Sequence, residues 1–108
     1  MTYLDDEMRI DMYSEFGDFC ARGSLAIEYI DQKVIPKFSN QEELIVDLKG
    51  VRNMNSSFCN AFFTSLFLVY GEPLKKNIKI LNAPDKLRGM IRQAMHQGIK
   101  KYKGNASL

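Results

Sequence analysis

Two adjacent serines, Ser56 and Ser57, carry the side chains of this sequence that are best placed for chemistry. They follow an apolar run at residues 44–48, which has the length of a strand and is interrupted by Asp47. Beyond the serines, apolar residues recur at spacings of three and four, which predicts a helix over residues 57–70. The two hydroxyl groups therefore lie where a central strand leads into a helix, beside the unpaired N–H groups and the positive end of the helix dipole.

A phosphate group at this junction would be stabilised by the helix N-terminus, so phosphorylation of Ser56 or Ser57 is one interpretation of the serine pair. A purely structural alternative is that one serine only caps the helix, since Asn55 and Ser56 are both residue types that cap helices well. The spacing by itself does not decide between these two interpretations.

The same region resembles a known family. The strings VDLKGV at residues 46–51 and MNSSF at residues 54–58 resemble the strand, turn and helix start of STAS domains, the fold of anti-sigma-factor antagonists. The resemblance is closer to a STAS-like family of unknown function, in which an aspartate-containing apolar strand ends in Gly-Val and a Ser-Phe pair opens an apolar helix. Upstream, FGD at 16–18 and ARG at 21–23 resemble the segment of that family that ends in Ser-Arg-Gly. The likeness covers about residues 8–98.

The resemblance implies a non-enzymatic regulatory or adaptor domain that binds a protein partner. That partner would be a histidine-kinase-like ATPase, or anti-sigma-type serine kinase, with Ser56 as the phosphorylated residue and a phosphatase for reversal. Asn55 stands where many STAS proteins have aspartate, and Phe58 stands where they often have glycine. The start of this helix is the docking surface in STAS proteins, which predicts these partner-binding residues: Asn55, Ser56, Ser57, Phe58, Asn60, Phe63 and Phe67.

The predicted second helix is apolar on more than one face. Besides its core stripe it carries Phe63, Phe67, Leu68 and Tyr70, which a single layer of packing would not cover. Either the helix is enclosed within the domain, or part of it contacts another chain. The second alternative leads to a homodimer or to a structural subunit whose Phe63 and Phe67 face completes an oligomer.

Strands that alternate with helices predict a single α/β domain over residues 1–108, because parallel strands need long crossover connections. We expect a mixed, mostly parallel sheet, a core at about residues 8–99, and a frayed basic tail from residue 103. The resemblance adds that the first strands pair at one edge and that the helices pack mainly on one face. The expected elements are strands at 8–13, 43–48 and 77–81, a short strand or loop at 15–21, and helices at 22–35, 57–70 and from Pro84 onward.

Two helices have a predicted core face. On the first helix this face consists of Gly23, Ile27, Ile30 and Val34, and Pro36 ends the helix. On the third helix it consists of Leu87, Met90, Ile91, Ala94 and Met95.

Charge is unevenly distributed along the chain. Up to Glu72 there are six Lys and Arg residues against twelve Asp and Glu, whereas from Pro73 onward there are nine against one. The basic patch predicted on the third helix and tail, which would meet an acidic partner or a nucleic-acid backbone, consists of Arg88, Arg92, Lys100 and Lys101. A nucleic-acid-binding module ranks below the regulatory domain, because no recognition motif is present and Tyr102 is the one aromatic residue near these charges. The structural alternative is a solvated helix face.

The sequence lacks the signatures of an enzyme. It has no Gly-rich phosphate loop, no G-x-S-x-G elbow and no paired-cysteine or HExxH metal motif, so we expect no catalytic residue, metal or cofactor. The single histidine, His96, continues the basic stripe of Arg88 and Arg92. Asp47 would act as a general base only if a substrate pocket opened beside it, with Asp11 and Asp18 as neighbours that could cluster there.

Several features indicate a cytoplasmic protein without membrane contact. Cys20 and Cys59 have no metal-ligand spacing and are expected to be buried thiols in a reducing compartment. No apolar run approaches the roughly 18 to 20 residues of a membrane span. The acidic residues 1–6 lack the basic and apolar regions of a signal peptide.

Overall fold

The computed structural model of the protein describes residues 7–106 and shows short strands alternating with helices. The strands are β1 (Glu7–Asp11), β2 (Phe19–Cys20), β3 (Glu43–Asp47), β4 (Asn53–Met54) and β5 (Ile78–Leu81). The helices are α1 (Met12–Phe16), α2 (Gly23–Tyr29, continued by π-helical Ile30–Val34), α3 (Ser56–Cys59, π-helical Asn60–Thr64 and Ser65–Tyr70), α4 (Leu74–Asn77) and α5 (Asp85–Ala106). The expected α/β fold is confirmed, and β4 and α4 are short elements that the sequence pattern did not predict.

The main sheet has β3 at its centre. Its order is β1-β3-β5, and both pairings are parallel, with Ile10 beside Val46 and Val46 beside Ile80. A second, two-residue parallel pairing joins β2 to β4. The expectation that the first strands pair with each other is wrong, because α1 separates β1 from β2 and each strand finds its partner later in the chain.

The first strand ends two residues earlier than its alternating pattern predicted. The Asp11 carboxylate accepts hydrogen bonds from the Ser14 N–H at 3.1 Å and from the Ser14 hydroxyl at 3.0 Å. This side chain caps a new helix, so Met12 and Tyr13 belong to α1 and not to the strand. The hydrogen bonds of this cap end the strand at Asp11, although the alternation of side chains continues to residue 13.

The helices pack on one face of the sheet. Alternate positions of the three strands contribute to the core, whose sheet residues are Met8, Ile10, Leu44, Val46, Ile78 and Ile80. Most intervening positions carry charge, and two ion pairs of 3.1 Å, Arg9 to Asp47 and Lys79 to Glu43, link neighbouring strands there. Ile45, at the centre of this second face, is apolar and only 6% exposed. Because successive side chains of a strand point to opposite faces, one face is apolar and helix-covered, and the other carries charged residues around Ile45.

Helix α2 presents a core face that differs in one position from the predicted one. Its buried side chains are Ala26, Ile30 and Val34, at successive spacings of four. Ile27, expected in this face, is 48% exposed and is therefore a surface residue. The π-helical segment is closed by the Ile35 N–H, which donates to the Ile30 carbonyl at 2.9 Å.

Helix α3 is enclosed within the domain over most of its length, whereas Leu68 and Val69 near its end are exposed. Its five largest core side chains are at most 1% exposed: Phe58, Phe62, Phe63, Leu66 and Phe67. Phe16 contacts this helix with its ring centroid 4.8 Å from that of Phe58, in an edge-to-face arrangement. Of the two alternatives for this apolar helix, enclosure is the one that the structure shows. An oligomer built on the face of Phe63 and Phe67 is wrong, since both rings are already covered by their own chain.

Two glycines allow the neighbouring helices to approach α3 closely. A Cβ atom at Gly23 of α2 would lie 3.2 Å from the Ala61 Cβ and from the Ser57 carbonyl oxygen. On the other side, a Cβ at Gly98 of α5 would lie 2.6 Å from the Thr64 carbonyl oxygen. The Thr64 hydroxyl also donates a 2.9 Å hydrogen bond to the carbonyl of Ala94 on α5. Helix α3 is therefore held between α2 and α5.

Helix α5 has the predicted core face. Leu87, Ile91 and Ala94 are buried, and Met90 and Met95 pack against the core while partly exposed. The helix includes residues 103–106, at the start of the tail predicted to be frayed. Residues 107–108 of that tail and the acidic residues 1–6 lie outside the described residues.

The Gly98 contact leads to a stability prediction. We expect Gly98→Ala to lower the free energy of unfolding by about 1–3 kcal/mol, because the added methyl group must push α3 and α5 apart. The measurement is urea denaturation followed by circular dichroism. Gly89→Ala on the same helix is the matched control, since a Cβ there meets nothing within 4 Å. This control should raise the free energy of unfolding by about 0.5–1 kcal/mol through helix propensity, and equal effects of the two changes would contradict the close crossing.

Candidate functional site

The start of α3 is organised by Asn55. Its side-chain oxygen accepts a 2.8 Å hydrogen bond from the Phe58 N–H, which caps the helix. Its side-chain NH2 donates to the Ala21 carbonyl at 2.9 Å, and its backbone N–H donates to the Cys20 carbonyl at 3.0 Å. One residue therefore both caps the helix and ties it to the end of β2.

Both predicted serines are exposed at this helix end. Ser56 is the first residue of α3 and Ser57 the second. Within residues 7–106, neither hydroxyl forms a hydrogen bond, because the capping role belongs to Asn55. The structural alternative, in which a serine serves as the cap, is therefore wrong. The hydroxyl groups are accessible on a rigid framework that does not need them for its stability.

The predicted partner-binding set divides into surface and core. Ser56, Ser57 and Asn60 are exposed, and Asn55 is half-buried. The three phenylalanines of the set are wrong as contact residues, since their rings point into the core with at most 1% exposure: Phe58, Phe63 and Phe67. The accessible surface around this helix start is consequently small and polar.

Asp47 lies at the carboxyl end of the central strand and is fully engaged in hydrogen bonds. One carboxylate oxygen accepts from the Asn82 side chain at 2.8 Å and from the Lys49 N–H at 3.0 Å, and the other accepts from Arg9 at 3.1 Å. These bonds, led by that from Asn82, lower the pKa of Asp47 below its ordinary value. Asn82 reaches the carboxylate from a left-handed backbone conformation with φ of 59°. This contact had no signal in the sequence pattern, because the two residues are far apart along the chain.

The predicted cluster of carboxylates is only partly formed. Asp11 lies beside Asp47 in the strand register, but its oxygens cap α1 and are held by Ser14. In the described part of the chain, no group of His, Cys, Asp and Glu residues has the arrangement of a metal site. Both carboxylates thus have structural roles that account for their position.

The two cysteines are free, buried thiols. Burial raises the pKa of Cys59 to about 11, and burial together with the nearby Asp18 carboxylate raises that of Cys20 to about 11. Thiols with such pKa values are protonated and weakly nucleophilic near neutral pH. They behave as small core residues.

The predicted basic residues are all exposed but do not form one patch. Arg88 and Arg92 lie about 40° apart round α5, whereas Lys100 lies about 80° beyond Arg92 and Lys101 lies on the opposite side of the helix from Arg92. Arg88 is engaged by Asp85 at 3.5 Å. Arg88 and Arg92 line a cavity of about 160 Å³ between α5 and β5, and Arg92 also lines an adjoining cavity of about 240 Å³. The sequence pattern gave no signal for this groove, although its walls are the apolar positions of a strand and of a helix face.

Comparison with known proteins gives one family. The model of a family described as a STAS-like domain of unknown function matches residues 28–87, a narrower span than the predicted 8–98. The match includes β3, Ser56 and the whole of α3, and it excludes residues 21–23 and most of α5. Comparisons with curated proteins and with solved structures yield no match. Among residues 7–106, no helix combines the length and apolar character needed to cross a membrane.

Asn55 provides a test of the organisation of this site. We expect Asn55→Ala to lower the free energy of unfolding by about 1–3 kcal/mol, because the helix loses its cap and the Ala21 carbonyl loses a donor. Asn55→Asp keeps the capping oxygen and should lower the free energy of unfolding by less than Asn55→Ala. Asn60→Ala, an exposed change on the same helix, is the control and should stay within about 0.5 kcal/mol of wild type. Chemical denaturation measures the free energy of unfolding of all three variants. An Asn55→Ala variant as stable as wild type would refute the capping role.

Asp47 provides a pH-dependent prediction. Because the pKa of Asp47 is lower in the folded state than the ordinary aspartate value of 3.8, the ionised carboxylate stabilises the fold above that value. This stabilisation is lost as pH falls through the folded-state pKa. Between about pH 6 and pH 3, the free energy of unfolding should therefore fall more steeply for wild type than for Asp47→Asn. Urea denaturation midpoints measured across this pH range test the prediction, and Asp31→Asn, on the exposed side of α2, is the control. If the midpoints of wild type and Asp47→Asn changed in parallel with pH, the prediction would be contradicted.

Proposed function

The chain belongs to the STAS-like family of unknown function, and we propose that it is a non-enzymatic regulatory or adaptor domain that binds a protein partner at the start of α3. The observation that carries this proposal is the exposure of the Ser56 and Ser57 hydroxyls at a helix end that Asn55 caps independently. A surface residue that contributes nothing to the core can be modified without loss of the fold.

The proposed switch is phosphorylation of Ser56. A phosphate adds about 1.5 to 2 negative charges and three strong acceptor oxygens at pH 7. The helix dipole and the first N–H groups of α3 favour an anion at this position, so the modified side chain would be stabilised where it stands. The same charge would repel an acidic partner surface. Against an apolar partner surface, the phosphate would lose its hydration without gaining polar contacts. Binding would change while the domain keeps its structure.

The proposed partner is a histidine-kinase-like ATPase that acts as a serine kinase, with an associated phosphatase for reversal. The resemblance to STAS domains, the fold of anti-sigma-factor antagonists, suggests this partner class, and the exposure of Ser56 meets the steric requirement of a kinase. The state of Asp47 and of the two cysteines also favours a role as binding domain. Asp47 is occupied by three hydrogen bonds, and the cysteine thiols are buried and protonated.

The experiment begins with the tagged full chain, pulled down from its native cell in the presence of ATP. Mass spectrometry identifies copurifying proteins and phosphate on Ser56 or Ser57. The affinity of the copurified ATPase is then measured by calorimetry against wild type and variants. We expect Ser56→Asp to weaken binding by about tenfold or more and Ser56→Ala to bind like the unmodified wild type.

Ser39→Asp is the matched control for added charge. Ser39 lies in the loop that precedes β3, at the end of the sheet opposite to Ser56, and its hydroxyl accepts from the Gln41 N–H, a bond that aspartate can replace. This variant should bind like wild type. Equal affinities of Ser56→Asp and Ser56→Ala, or unmodified serines in a chain that recovers no ATPase, would refute the switch.

A further inference from the structure

Strand β5 has an open edge in the described structure. Among residues 7–106 it pairs with β3 alone, as the last strand in the order β1-β3-β5. The Leu81 carbonyl accepts from the Leu48 N–H at 2.8 Å, which turns the backbone groups of Leu81 and Lys79 toward β3. Since backbone groups alternate in direction along a strand, the N–H and C=O of Ile80 point away from the sheet. They are available to another strand.

A groove runs beside this edge, between β5 and α5. The two cavities that form it share Ile80, Arg92 and Met95 as lining residues and are therefore continuous. Its floor is completed by Ile91 at one end and Ile99 at the other. At about 160 and 240 Å³, each cavity has room for an aliphatic side chain or more.

The rim of the groove is positively charged. Lys75 lines the second cavity and Arg92 lines both, and neither forms an ion pair with any of the described residues. Arg88 lines the first cavity and is paired with Asp85 at 3.5 Å. Two unpaired cations beside an apolar floor are complementary to a ligand that is both acidic and apolar.

We propose that an acidic segment of a partner protein binds here as an added parallel or antiparallel strand on β5. Its backbone would pair with the open groups of Ile80, and its alternate apolar side chains would fill the groove. Because successive side chains of a strand point to opposite faces and Arg92 and Lys75 line the same groove as the apolar floor, the carboxylates that meet them would belong to the residues flanking this alternating core. The strand β5 is four residues long, about 13 Å at a rise of about 3.3 Å per residue, so the bound core is about four to six residues.

Charge decides against a second copy of this chain at the same edge. No Asp or Glu of the described residues lines either cavity, so two copies of this edge brought together would bring groove cations near groove cations with no carboxylate between them. The apolar floor and the open backbone groups likewise favour a peptide over a nucleic acid. The surface shares no residue with the Ser56 site, so it is a second docking surface beyond the proposed function.

The test uses a fluorescein-labelled peptide and the full-length protein, with fluorescence polarisation as the readout. The peptide has the alternating core Val-Ser-Val-Ser-Val with two Asp residues at each end. We expect saturable binding at micromolar to sub-millimolar concentration. Replacing the middle Val of the peptide by Pro removes a backbone donor and should weaken binding at least about tenfold. Arg92→Glu in the protein should do the same, whereas Lys37→Glu, an exposed change in the loop after α2, should alter affinity less than about twofold.

Amide hydrogen exchange gives a readout specific to strand addition. The Ile80 N–H, which points outward, should exchange at least about tenfold more slowly with saturating peptide. The Lys79 N–H already faces β3 and should change less. Circular dichroism of Arg92→Glu verifies its fold, and the peptide should bind Ser56→Asp as it binds wild type, which separates this surface from the serine site.

Four results would overturn the proposal. Two concern affinity: no peptide binding at about 1 mM, or equal affinity for a peptide in which every Asp is replaced by Lys. The other two are slowed amide exchange at Lys79 but not at Ile80, and sedimentation showing that a second copy of the chain already covers this edge. A fluorescein-labelled DNA or RNA strand that binds more tightly than the peptide, and loses affinity with Arg92→Glu, would assign the surface to nucleic acid instead.

Discussion

The close packing of α3 between two other helices is the constraint on which the rest of the structure depends. Gly23 and Gly98 let α2 and α5 approach it from either side, and its phenylalanines fill the space above the sheet. At its first turn, Asn55 also links this helix to the end of β2. The position of the exposed Ser56 is therefore set by contacts that Ser56 itself does not make.

One-sided packing of the sheet explains where exposed surfaces remain. The long helices α2, α3 and α5 contribute to the core on the apolar face of a three-stranded sheet, and in the described residues no further strand pairs with its edge at β5. Helix α5 lies beside that edge and supplies both the apolar wall and the cations of the groove. The serine site and the groove are thus two consequences of the same arrangement, separated by the breadth of the helix layer.

The main elements were predictable because their signals are local. The apolar run of β3, the spacing of α3 and the stripe of α5 each lie within a short window, and each was confirmed. The errors share a different cause. Ile27 was assigned from the pattern of α2, and Phe58, Phe63 and Phe67 were assigned from the docking surface that the resemblance implies. The exposure of each depends on how many neighbours surround its helix, which neither signal contains. The early end of β1 resulted from a cap formed by the Asp11 side chain.

By itself, the sequence determined the alternation of strands and helices, the serine pair at the junction and the concentration of positive charge in the last third, because these depend on residue type and spacing. Only the tertiary structure decided that Asn55 and not a serine caps α3, that Phe63 and Phe67 belong to the core, and that β5 forms an edge beside α5. Each of these depends on contacts between residues distant in the chain, and such contacts are set by packing of the whole domain.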